Sequence, residues 1–422
     1  MTLPLLEIIA LMFLLFMLSW TAYSLPALIV GVRQIRIREK NKECSRTSSG
    51  RERSPFFSII LPMKDEEKVA GRILDALTRT DYPKDCYEIL VVDDASRDGT
   101  GKVCRKFEEK FPNTVRYFRR DVSHGKSSAL NHALGFAQGE IVGVFDADNM
   151  PYEDVLRRAA EHFEDTSLVA LQCLLSSINA EQNTLTRFVH YEGVLHFNAL
   201  YSGKERLGLF VPFAGTCLFI KRAVLEEVGG WQDGALSEDL ELSARLTAEG
   251  YHVKFAPDVK SLQENPSKLR QLVKQRARWF RGCMEVAFKY GKLLKRFDRR
   301  GLDAEVFFTG PFVMVLVAAT YIASLFSSIQ PYSLGAASIL TSSMTILTVI
   351  TLFVLGTGLA YTHTPRRVSN LKWVPFIYLY WSTQVFVALY AFLQIILRRP
   401  RKWSKTSRSA VSTPPSGIEQ HP

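Results

Sequence analysis

The chain has 422 residues, a formal net charge of +11 and six cysteines, and its apolar residues are concentrated near the two ends. The cysteines form no CxxC pair and no His/Cys cluster with zinc spacing, so we predict reduced, mostly buried thiols. The positive charge fits basic clusters that face anionic membrane lipids. Because no nucleic-acid-binding module is visible, we do not expect nucleic acid as a partner.

The first predicted element is an apolar segment, Leu3–Val32, in which Glu7 is the single charge. It exceeds the roughly 20 helical residues that cross a bilayer core. It also lacks a basic N-region and a clear cleavage site, so we predict a retained anchor over 1–32. Basic residues follow at once, and such residues stay cytoplasmic. We therefore expect a basic tether over 33–54 and a cytosolic domain over 55–295.

From residue 57 onward, short apolar runs alternate with amphipathic stretches of helical length, near 66–80, 99–111, 126–138 and 152–164. The candidate strands are Phe57–Leu61, Glu88–Val92, Val115–Phe118, Ile141–Phe145 and Leu168–Leu174. This alternation predicts an α/β fold with a mostly parallel sheet covered on both faces. In such sheets ligands bind beyond the carboxyl ends of the strands.

Acidic pairs follow two of these strands. Asp93 and Asp94 could accept hydrogen bonds from a base or a ribose, although acids here could also cap a helix. In Asp146-Ala147-Asp148 the two carboxylates alternate, so both can reach one hard cation that prefers oxygen ligands. A turn rich in Asp and Asn is the alternative. After an apolar strand, the motif predicts a Mg²⁺ or Mn²⁺ site that bridges to phosphate.

Two further motifs open helices. In His124-Gly125-Lys126, a glycine and a lysine suit an anion, so Lys126 is a candidate nucleotide contact; a solvated lysine explains it equally well. Ser237-Glu238-Asp239 precedes the amphipathic stretch Leu240–Glu249, where these residues could simply cap the helix. A catalytic base would have to be a carboxylate near the metal site, and Asp239 is our candidate.

A basic helix carries Gln275-Arg276-Ala277-Arg278-Trp279 shortly before the C-terminal apolar region. Its cations could face lipid headgroups. A tryptophan beside arginine and glutamine could equally stack on a sugar and bind a diphosphate. The spacing of these residues leaves both interpretations open.

Three apolar segments follow, at about 306–329, 334–361 and 371–397, so we assign 296–398 to a membrane region and 399–422 to a basic, disordered tail. Basic residues flank the third segment on both sides: Arg366, Arg367 and Lys372 before it, and Arg398, Arg399, Arg401 and Lys402 after it. If all three segments crossed, one basic flank would lie outside. Either one segment is interfacial or re-entrant, or the positive-inside rule is broken here.

In order, the Asp-Asp pair, the DxD motif, Ser-Glu-Asp and QxxRW resemble the family 2 glycosyltransferases. The likeness is to membrane-integrated synthases of β-linked polysaccharides, such as poly-N-acetylglucosamine, hyaluronan and cellulose. It covers about residues 56–290, and the ordered set is far more specific than any single motif. The resemblance implies a GT-A fold, a nucleotide-sugar donor, a divalent metal, and a multi-pass protein of the cell membrane with a cytosolic catalytic domain.

By position, the resemblance implies that Asp94, with Asp93 beside it, holds the uridine of a UDP-sugar. It implies Asp148 as the principal metal ligand, Asp146 as a nucleotide contact that also reaches the metal, and Asp239 as the general base. The implied acceptor and diphosphate contacts are Gln275, Arg278, Trp279, Glu238 and the small-residue segment Phe213-Ala214-Gly215-Thr216.

Two positions depart from the family pattern. The family motif is usually Thr-Glu-Asp, and here it reads Ser237-Glu238-Asp239, so only the first residue changes and both acids are kept. The first-strand motif, which usually ends in Asn-Glu, reads Pro62-Met63-Lys64-Asp65-Glu66. Its extra charges alter the nucleotide contacts expected of that loop.

These residues predict an inverting single displacement in which Asp239 takes the proton of the acceptor hydroxyl, while the metal and Arg278 neutralise the departing diphosphate. We expect a growing β-linked polysaccharide as the acceptor. The alternative is a glycolipid synthase that acts on a membrane lipid, because three or four spans leave little room for a polysaccharide pore without an export partner. A non-catalytic transporter or nucleotide-sensing subunit is a third hypothesis. The near absence of ionisable residues in the spans past Glu305 counts against a transporter.

Overall fold

The computed structural model describes residues 54–291, 298–329 and 368–401, the N-terminal helix Leu25–Ile35, and isolated positions between 12 and 37 and between 342 and 356. Most of the predicted anchor and tether, most of the predicted span 334–361, and the tail beyond 401 lie outside the described residues. Cys44 also lies outside them. The other five cysteines are free thiols, and Cys86 is the only one of these five that is not fully buried.

Strands and helices alternate in the first half of the domain. In chain order they are β1 (Phe57–Met63), α1 (Glu67–Thr78), β2 (Tyr87–Asp94), α2 (Thr100–Lys110), β3 (Val115–Arg120), α3 (Lys126–Leu134), β4 (Ile141–Val144), β5 (Asn149–Pro151) and α4 (Val155–Phe163). All eight residues of β2 are buried, as expected of a strand covered by helices on both faces. The predicted elements of this half therefore lie within a few residues of their observed positions.

The second half is more irregular. Its elements are β6 (Ala170–Ser177), α5 (Thr184–Gly193), a π-helix (Val194–Tyr201), α6 (Ser202–Arg206), β7 (Leu218–Lys221), α7 (Arg222–Glu227), α8 (Glu238–Glu249), β8 (Val253–Gln263) and α9 (Leu269–Tyr290). Helix α8 ends at Gly250, whose φ of 90° gives the left-handed cap that glycine adopts most readily.

All eight strands form one sheet in the order β3-β2-β1-β4-β7-β6-β8-β5. Strands β1 to β4 pair in parallel, as predicted, and β6 pairs in parallel with β8. Strand β7 runs antiparallel to both β4 and β6, and β5 runs antiparallel to β8. The α/β prediction is confirmed. Strand β7 interrupts the parallel arrangement. After β6 and residues 178–217, the chain enters β7 from the edge at which the parallel strands end, so β7 runs in the opposite direction.

The core consists of two apolar layers, one on each face of the sheet. Ile59 of β1 packs with Leu74 of α1 in the first layer, while its neighbour Ile60 packs with Leu130 of α3 and Leu242 of α8 in the second. Successive strand residues point to opposite faces. Strand β1 therefore contributes to both layers, which fixes its carboxyl end rigidly at the centre of the sheet.

Three elements follow the domain: α10 (Arg299–Ile329), a short 3₁₀ helix (Val368–Trp373) and α11 (Val374–Ile396). By length and composition, two described segments are able to cross a membrane: Arg299–Ile322, with mean hydropathy 1.7, and Leu371–Ile396, with mean hydropathy 1.5. Helix α11 packs against both α9 and α10. The C-terminal apolar helices therefore contact the second half of the domain directly, through α9.

Candidate active site

The carboxyl ends of β1, β2 and β4 meet at one edge of the sheet, because these strands pair in parallel. Asp94 closes β2, and Asp146 and Asp148 follow β4, so all three side chains line one cavity of about 580 Å³. This is the edge at which ligands bind in open α/β sheets. The sequence-predicted acids Asp94, Asp146 and Asp148 are thus brought together.

Asp93 is the exception. Its side chain is fully buried and accepts hydrogen bonds from the Ser96 backbone N–H at 2.8 Å and from the Tyr117 hydroxyl at 2.7 Å. The Arg119 guanidinium is 3.2 Å from the same carboxylate. Asp93 does not line the cavity. Asp93 thus holds the loop after β2 and does not face this cavity, and its contact with the nucleotide stays a prediction.

Asp94 lines the cavity and also shapes it. Its carboxylate accepts hydrogen bonds from the backbone N–H groups of His124, at 3.2 Å, and Gly125, at 3.0 Å. Arg120 lies 3.3 Å from it. These contacts fix the turn that presents Lys126 at the start of α3.

Lys126 bridges two acids on different parts of the chain. Its ammonium lies 2.8 Å from Asp146 Oδ1 and 2.9 Å from Glu238 Oε1, and it donates to the Gly215 carbonyl at 2.8 Å. Burial lowers the pKa of Lys126, but the two carboxylates outweigh burial and hold that pKa above its ordinary value. Lys126 is thus a fixed cation inside the carboxylate cluster rather than a solvated surface lysine.

Asp239 stands on the first turn of α8 and faces the same cavity. Burial, reinforced by the neighbouring Glu238 carboxylate, raises the pKa of Asp239 to about 7. A carboxylate with a pKa near the working pH is well suited to accept a proton from a hydroxyl. The geometry therefore favours a base over a mere helix cap at this position.

Gly215 permits the close approach of these groups. Its φ is +79°, and a Cβ placed there would lie 3.1 Å from Asp239 Oδ2 and 3.7 Å from Lys126 Nζ. A left-handed conformation costs a non-glycine residue roughly 1–2 kcal/mol. The backbone at this position must therefore carry no side chain.

We expect Gly215→Ala to lower kcat about tenfold, because a methyl group there would displace Asp239 and strain the backbone. The measurement is steady-state kinetics with a thermal melt alongside. Gly71→Ala in α1 is the matched control, since its added Cβ meets only Val103 Cγ1, at 3.8 Å. Equal kcat values for the two variants would contradict this role for Gly215.

Helix α9 brings Gln275, Arg278 and Trp279 to the cavity. The Arg278 guanidinium donates to the Leu236 carbonyl at 3.3 Å, just before the Ser-Glu-Asp motif. The Trp279 ring remains 36% exposed, and the Arg276 guanidinium lies over its face at 4.6 Å from the ring centre. An exposed ring held at a cavity wall suits stacking against an acceptor.

Arg276 is itself fixed by a network that reaches the C-terminal helix. It pairs with Glu192 at 2.7 Å, and the Tyr380 hydroxyl of α11 donates to the same carboxylate at 2.8 Å. Sequence reasoning did not single out Glu192 or Tyr380, because their partners are distant along the chain. The position of Trp279 is therefore coupled to α11.

The first-strand loop reaches the cavity through Lys64 and Glu66. Asp65 turns away, and its carboxylate accepts a hydrogen bond from the Arg97 backbone N–H at 2.7 Å. The Lys64 ammonium donates to the Ser123 hydroxyl at 2.5 Å. Of the two extra charges in this departure from the family motif, Lys64 therefore lines the cavity and Asp65 does not, while Glu66, the usual acid of the motif, also lines it.

Part of the cavity wall is formed by apolar side chains of elements outside the sheet, although Lys204 and Asp303 of the same region also line it. The apolar side chains are Phe197 and Leu200 of the π-helix, Phe307 and Met314 of α10, and Ala27 of the N-terminal helix. A π-helix of eight residues is unusual, and such segments occur mostly at functional sites. Its signal in the sequence is an aromatic and aliphatic run, Val194–Tyr201, inside an otherwise charged domain, and this run was not among the predicted site elements.

The N-terminal helix and the π-helix region pack backbone against backbone. A Cβ added at Gly31 would lie 1.8 Å from the Ala199 carbonyl oxygen, and one at Gly203 would lie 1.7 Å from the Ala27 carbonyl oxygen. Small residues at such crossings let helices approach closely. The N-terminal helix is therefore part of the cavity wall.

Within the parts of the chain that the structure describes, no group of three or more His, Cys, Asp or Glu side chains is arranged to hold a metal ion. Asp146 and Asp148 nevertheless line the cavity together. Burial, followed by repulsion from Asp148 and Glu238, raises the pKa of Asp146 in spite of Lys126. The neutral form of Asp146 is thus favoured by burial and by the two neighbouring acids.

The chain is similar in sequence to proteins that are named as glycosyltransferases or glycolipid synthases. The "Probable glycosyltransferase YdaM" of Bacillus subtilis (strain 168) is 28% identical over 372 residues, which cover 84% of this chain and 87% of that protein. The beta-monoglucosyldiacylglycerol synthase of Synechocystis sp. is 34% identical over 240 residues, 56% of this chain and 49% of that protein. This second alignment spans about half of the relative's length.

A solved structure shares the fold. The mannosyltransferase PcManGT from Pyrobaculum calidifontis, determined in complex with GDP-Man and Mn2+, matches with a TM-score of 0.62 at 22% identity, over 94% of this chain and 100% of that one. This match confirms the predicted GT-A-like α/β fold. A model of the family described as "Glycosyltransferase like family 2" matches residues 54–282. The chain is therefore a glycosyltransferase and belongs to glycosyltransferase family 2.

Proposed function

We propose that this enzyme transfers a single sugar from a nucleoside diphosphate sugar, with a UDP-sugar as the expected donor, to the hydroxyl of a membrane lipid. The observation that carries this proposal is the continuous cavity. It is lined by Asp94, Asp146 and Asp239 and also by apolar side chains of α10 and the N-terminal helix. A polysaccharide acceptor would instead favour polar and aromatic walls along the whole path. A lipid acceptor is thus better supported than the polymer.

The name of one of the relatives above supports a lipid acceptor. The Synechocystis relative is named as a synthase of beta-monoglucosyldiacylglycerol, a lipid that carries one sugar. We therefore propose diacylglycerol, or a lipid with a similar glycerol headgroup, as the acceptor class. Its single free hydroxyl would lie at Asp239, with the acyl chains against Phe307 and Met314 of α10.

We propose a divalent metal, Mg²⁺ or Mn²⁺, at Asp148 and Asp146. The residues fit such an ion, because Asp146 and Asp148 offer hard oxygen ligands in one cavity. Two carboxylates from the protein leave the remaining coordination positions to diphosphate oxygens and water. When bound, the ion would supply Lewis-acid stabilisation of the departing diphosphate.

The chain's own residues account for the other steps of an inverting displacement. Asp239 accepts the proton of the lipid hydroxyl as that oxygen attacks the anomeric carbon. Arg278 neutralises charge on the departing diphosphate, and Lys126 holds Asp146 and Glu238 in place. The apolar walls exclude water, so the donor is protected from hydrolysis until the acceptor is bound.

The test is a donor screen that scores release of nucleoside diphosphate by the purified full-length protein. UDP-glucose, UDP-galactose, UDP-N-acetylglucosamine and GDP-mannose are each supplied with Mn²⁺ and dioleoylglycerol in phosphatidylcholine vesicles. We expect release that depends on dioleoylglycerol with one donor. Release with no donor, or release unaffected by the lipid, would refute the proposal.

We further propose that the protein is held at the membrane with its catalytic domain cytosolic, and that α11 lies along the membrane surface. Both ends of α11 contact that domain. Near its start, Ile377 packs against Tyr191 and Leu195, whereas beyond its end Arg281 donates to the Arg399 carbonyl at 2.7 Å. The helix has 23 residues and is about 34 Å long. If it crossed, one of these contacts would lie on the far side of the bilayer.

An in-plane α11 also removes the conflict between the two basic flanks of the third apolar segment, since both then remain cytosolic. The exposed side of the helix is apolar and suits contact with lipid: Phe376, Leu379, Phe386, Tyr390 and Leu393. Charged residues follow its C-terminal end, including Arg401, which pairs with Glu285 at 3.0 Å.

We expect cysteines introduced at Ser369 and Ser404, which flank α11, to be labelled from the same side. A membrane-impermeant maleimide should modify both in inverted vesicles and neither in intact cells, with the unsubstituted chain as the background. Labelling of one flank in intact cells would show that α11 crosses the bilayer.

A further inference from the structure

The π-helix forms part of the cavity wall near which we place the lipid acceptor, which we call the acceptor wall. It supplies a polar group there, His196, that the mechanism above does not use. His196 lines the cavity between Val194 and Tyr201, together with Trp279 on the facing helix α9. The role inferred for His196 is to orient the acceptor, and it rests on the proposed lipid acceptor.

The π-helix places His196 and Tyr201 in the same cavity as Asp239. The i→i+5 hydrogen bonds of a π-helix bring a residue and the fifth one after it onto one side of the helix. The rings of His196 and Tyr201 are 4.5 Å apart and tilted by 52°. His196 therefore faces the cavity that also holds the proposed catalytic carboxylate.

The surroundings of His196 keep its imidazole neutral. Burial, followed by the charges of Arg276 and Lys204, lowers the pKa of His196 to about 4. A neutral imidazole donates one hydrogen bond and accepts one. Within the described residues, its ring contacts are to the aromatic rings of Phe197 and Tyr201, and no side chain of those residues hydrogen-bonds to it. Its ring nitrogens are thus free to bind a ligand in the cavity.

The π-helix that carries His196 is held rigidly. Ala199 and Gly203 contact the backbone of the N-terminal helix directly, without intervening side chains. The neighbouring Lys204 ammonium is paired with the buried Asp303 at 2.8 Å, and the Tyr23 hydroxyl donates to the same carboxylate at 3.1 Å. A group on such a support can orient a ligand with little loss of freedom.

The chemistry of a diacylglycerol determines which ligand atom is left for His196. Its one hydroxyl is the nucleophile and must face Asp239. Its other polar groups are two esters, whose carbonyl carbons lie three and four bonds from that hydroxyl carbon and whose carbonyl oxygens accept hydrogen bonds well. We propose that the imidazole N–H of His196 donates a hydrogen bond to an ester carbonyl of the lipid acceptor, which holds the hydroxyl at Asp239.

The experiment compares 1,2-dioleoylglycerol, which is ester-linked, with 1,2-dioleylglycerol, which is ether-linked and lacks the carbonyls. Both are presented in phosphatidylcholine vesicles to the full-length enzyme with its best donor. In the unsubstituted enzyme we expect kcat/KM to be about tenfold higher for the ester lipid, mainly through KM, as the loss of one hydrogen bond in a buried site predicts.

His196→Phe keeps the stacking on Tyr201 and removes the N–H. It should lower kcat/KM for the ester lipid to the value for the ether lipid, with the donor KM and donor hydrolysis unchanged. His196→Gln, which retains an N–H donor, should recover part of the preference. His132→Phe on α3 is the control, because His132 is exposed and away from the cavity.

An unchanged ester preference in His196→Phe, or no preference in the unsubstituted enzyme, would overturn the role of His196. Absence of transfer to both lipids by the unsubstituted enzyme would instead refute the proposed function. The two failures are therefore distinguishable.

Discussion

Replacing Asp239 with asparagine is expected to lower the rate of glycosyl transfer by about 10²–10⁴-fold, the usual contribution of a general base. An amide has nearly the same size as the carboxylate but cannot take the proton of the acceptor hydroxyl. Binding of the nucleotide should change little, because the proposed role of Asp239 is to take a proton from the acceptor and not to hold the donor. The measurement is single-turnover transfer together with nucleoside diphosphate binding by calorimetry.

Glu249→Gln provides the matched control, since it makes the same change from carboxylate to amide at the exposed end of the same helix. It should leave transfer unchanged. Full transfer by Asp239→Asn would show that the proton goes elsewhere and that Asp239 is not the base.

The pKa of about 7 for Asp239 gives a pH dependence with a definite sign. The base works when it is deprotonated, so transfer should be nearly constant above pH 7. Below pH 7 the rate should fall about tenfold per pH unit, as one protonation requires. An acidic limb centred near pH 4, the ordinary pKa of Asp, would show that burial and Glu238 do not raise the pKa of Asp239.

Lys126→Met is the second substitution with a large expected effect. Lys126 neutralises Asp146 and Glu238, and its charge also lowers the pKa of Asp239. Removal of this charge should move the acidic limb of the pH profile upward by about one to three units, as expected for the loss of an opposite charge at short range. Transfer at pH 7 should therefore fall at least about fivefold and recover partly toward pH 9.

Lys126→Arg keeps the positive charge and should leave the acidic limb within about half a pH unit of its original position. Both profiles are measured by transfer to dioleoylglycerol at saturating donor. If Lys126→Met lost activity equally at all pH values, its charge would have no part in setting the protonation of Asp239.

The first half of the fold could be predicted from the sequence because its signals are local. Strand β2, for example, is an apolar run that ends in two acids, and helices of the expected length surround it. Strand β7 was not predicted, since only four residues form it and its partners β4 and β6 are distant along the chain. The reversal of direction at β7 depends on that long-range pairing, which periodicity does not record.

At the site, residue type and strand position located most of the acids but not their individual roles. Asp93 and Asp94 are adjacent and chemically identical, yet one lies inside the sheet and the other on the cavity. Successive side chains of a strand point to opposite faces of the sheet. Which of the two acids faces the cavity therefore depends on how β2 is placed between its neighbouring strands. Lys126 could not be assigned, because its partners Asp146 and Glu238 become neighbours only in the folded chain.

The acceptor wall was the part least accessible to sequence reasoning. The N-terminal helix was expected to be an anchor, and its contact with the π-helix region depends on Gly31 and Gly203 meeting the opposing backbones. No motif marks such a crossing. The polymer hypothesis arose from the resemblance carried by the ordered motifs, with QxxRW in support, whereas the apolar side chains that favour a lipid come from elements far apart in the sequence.

The size of the product tests the proposed lipid acceptor most directly. Purified full-length protein is incubated with its donor, Mn²⁺ and dioleoylglycerol vesicles, and the products are measured by mass spectrometry, with Asp239→Asn in parallel. We expect dioleoylglycerol carrying one hexose from the unsubstituted enzyme and none from Asp239→Asn. A ladder of free oligosaccharides, with no sugar on the lipid, would contradict single transfer to a lipid.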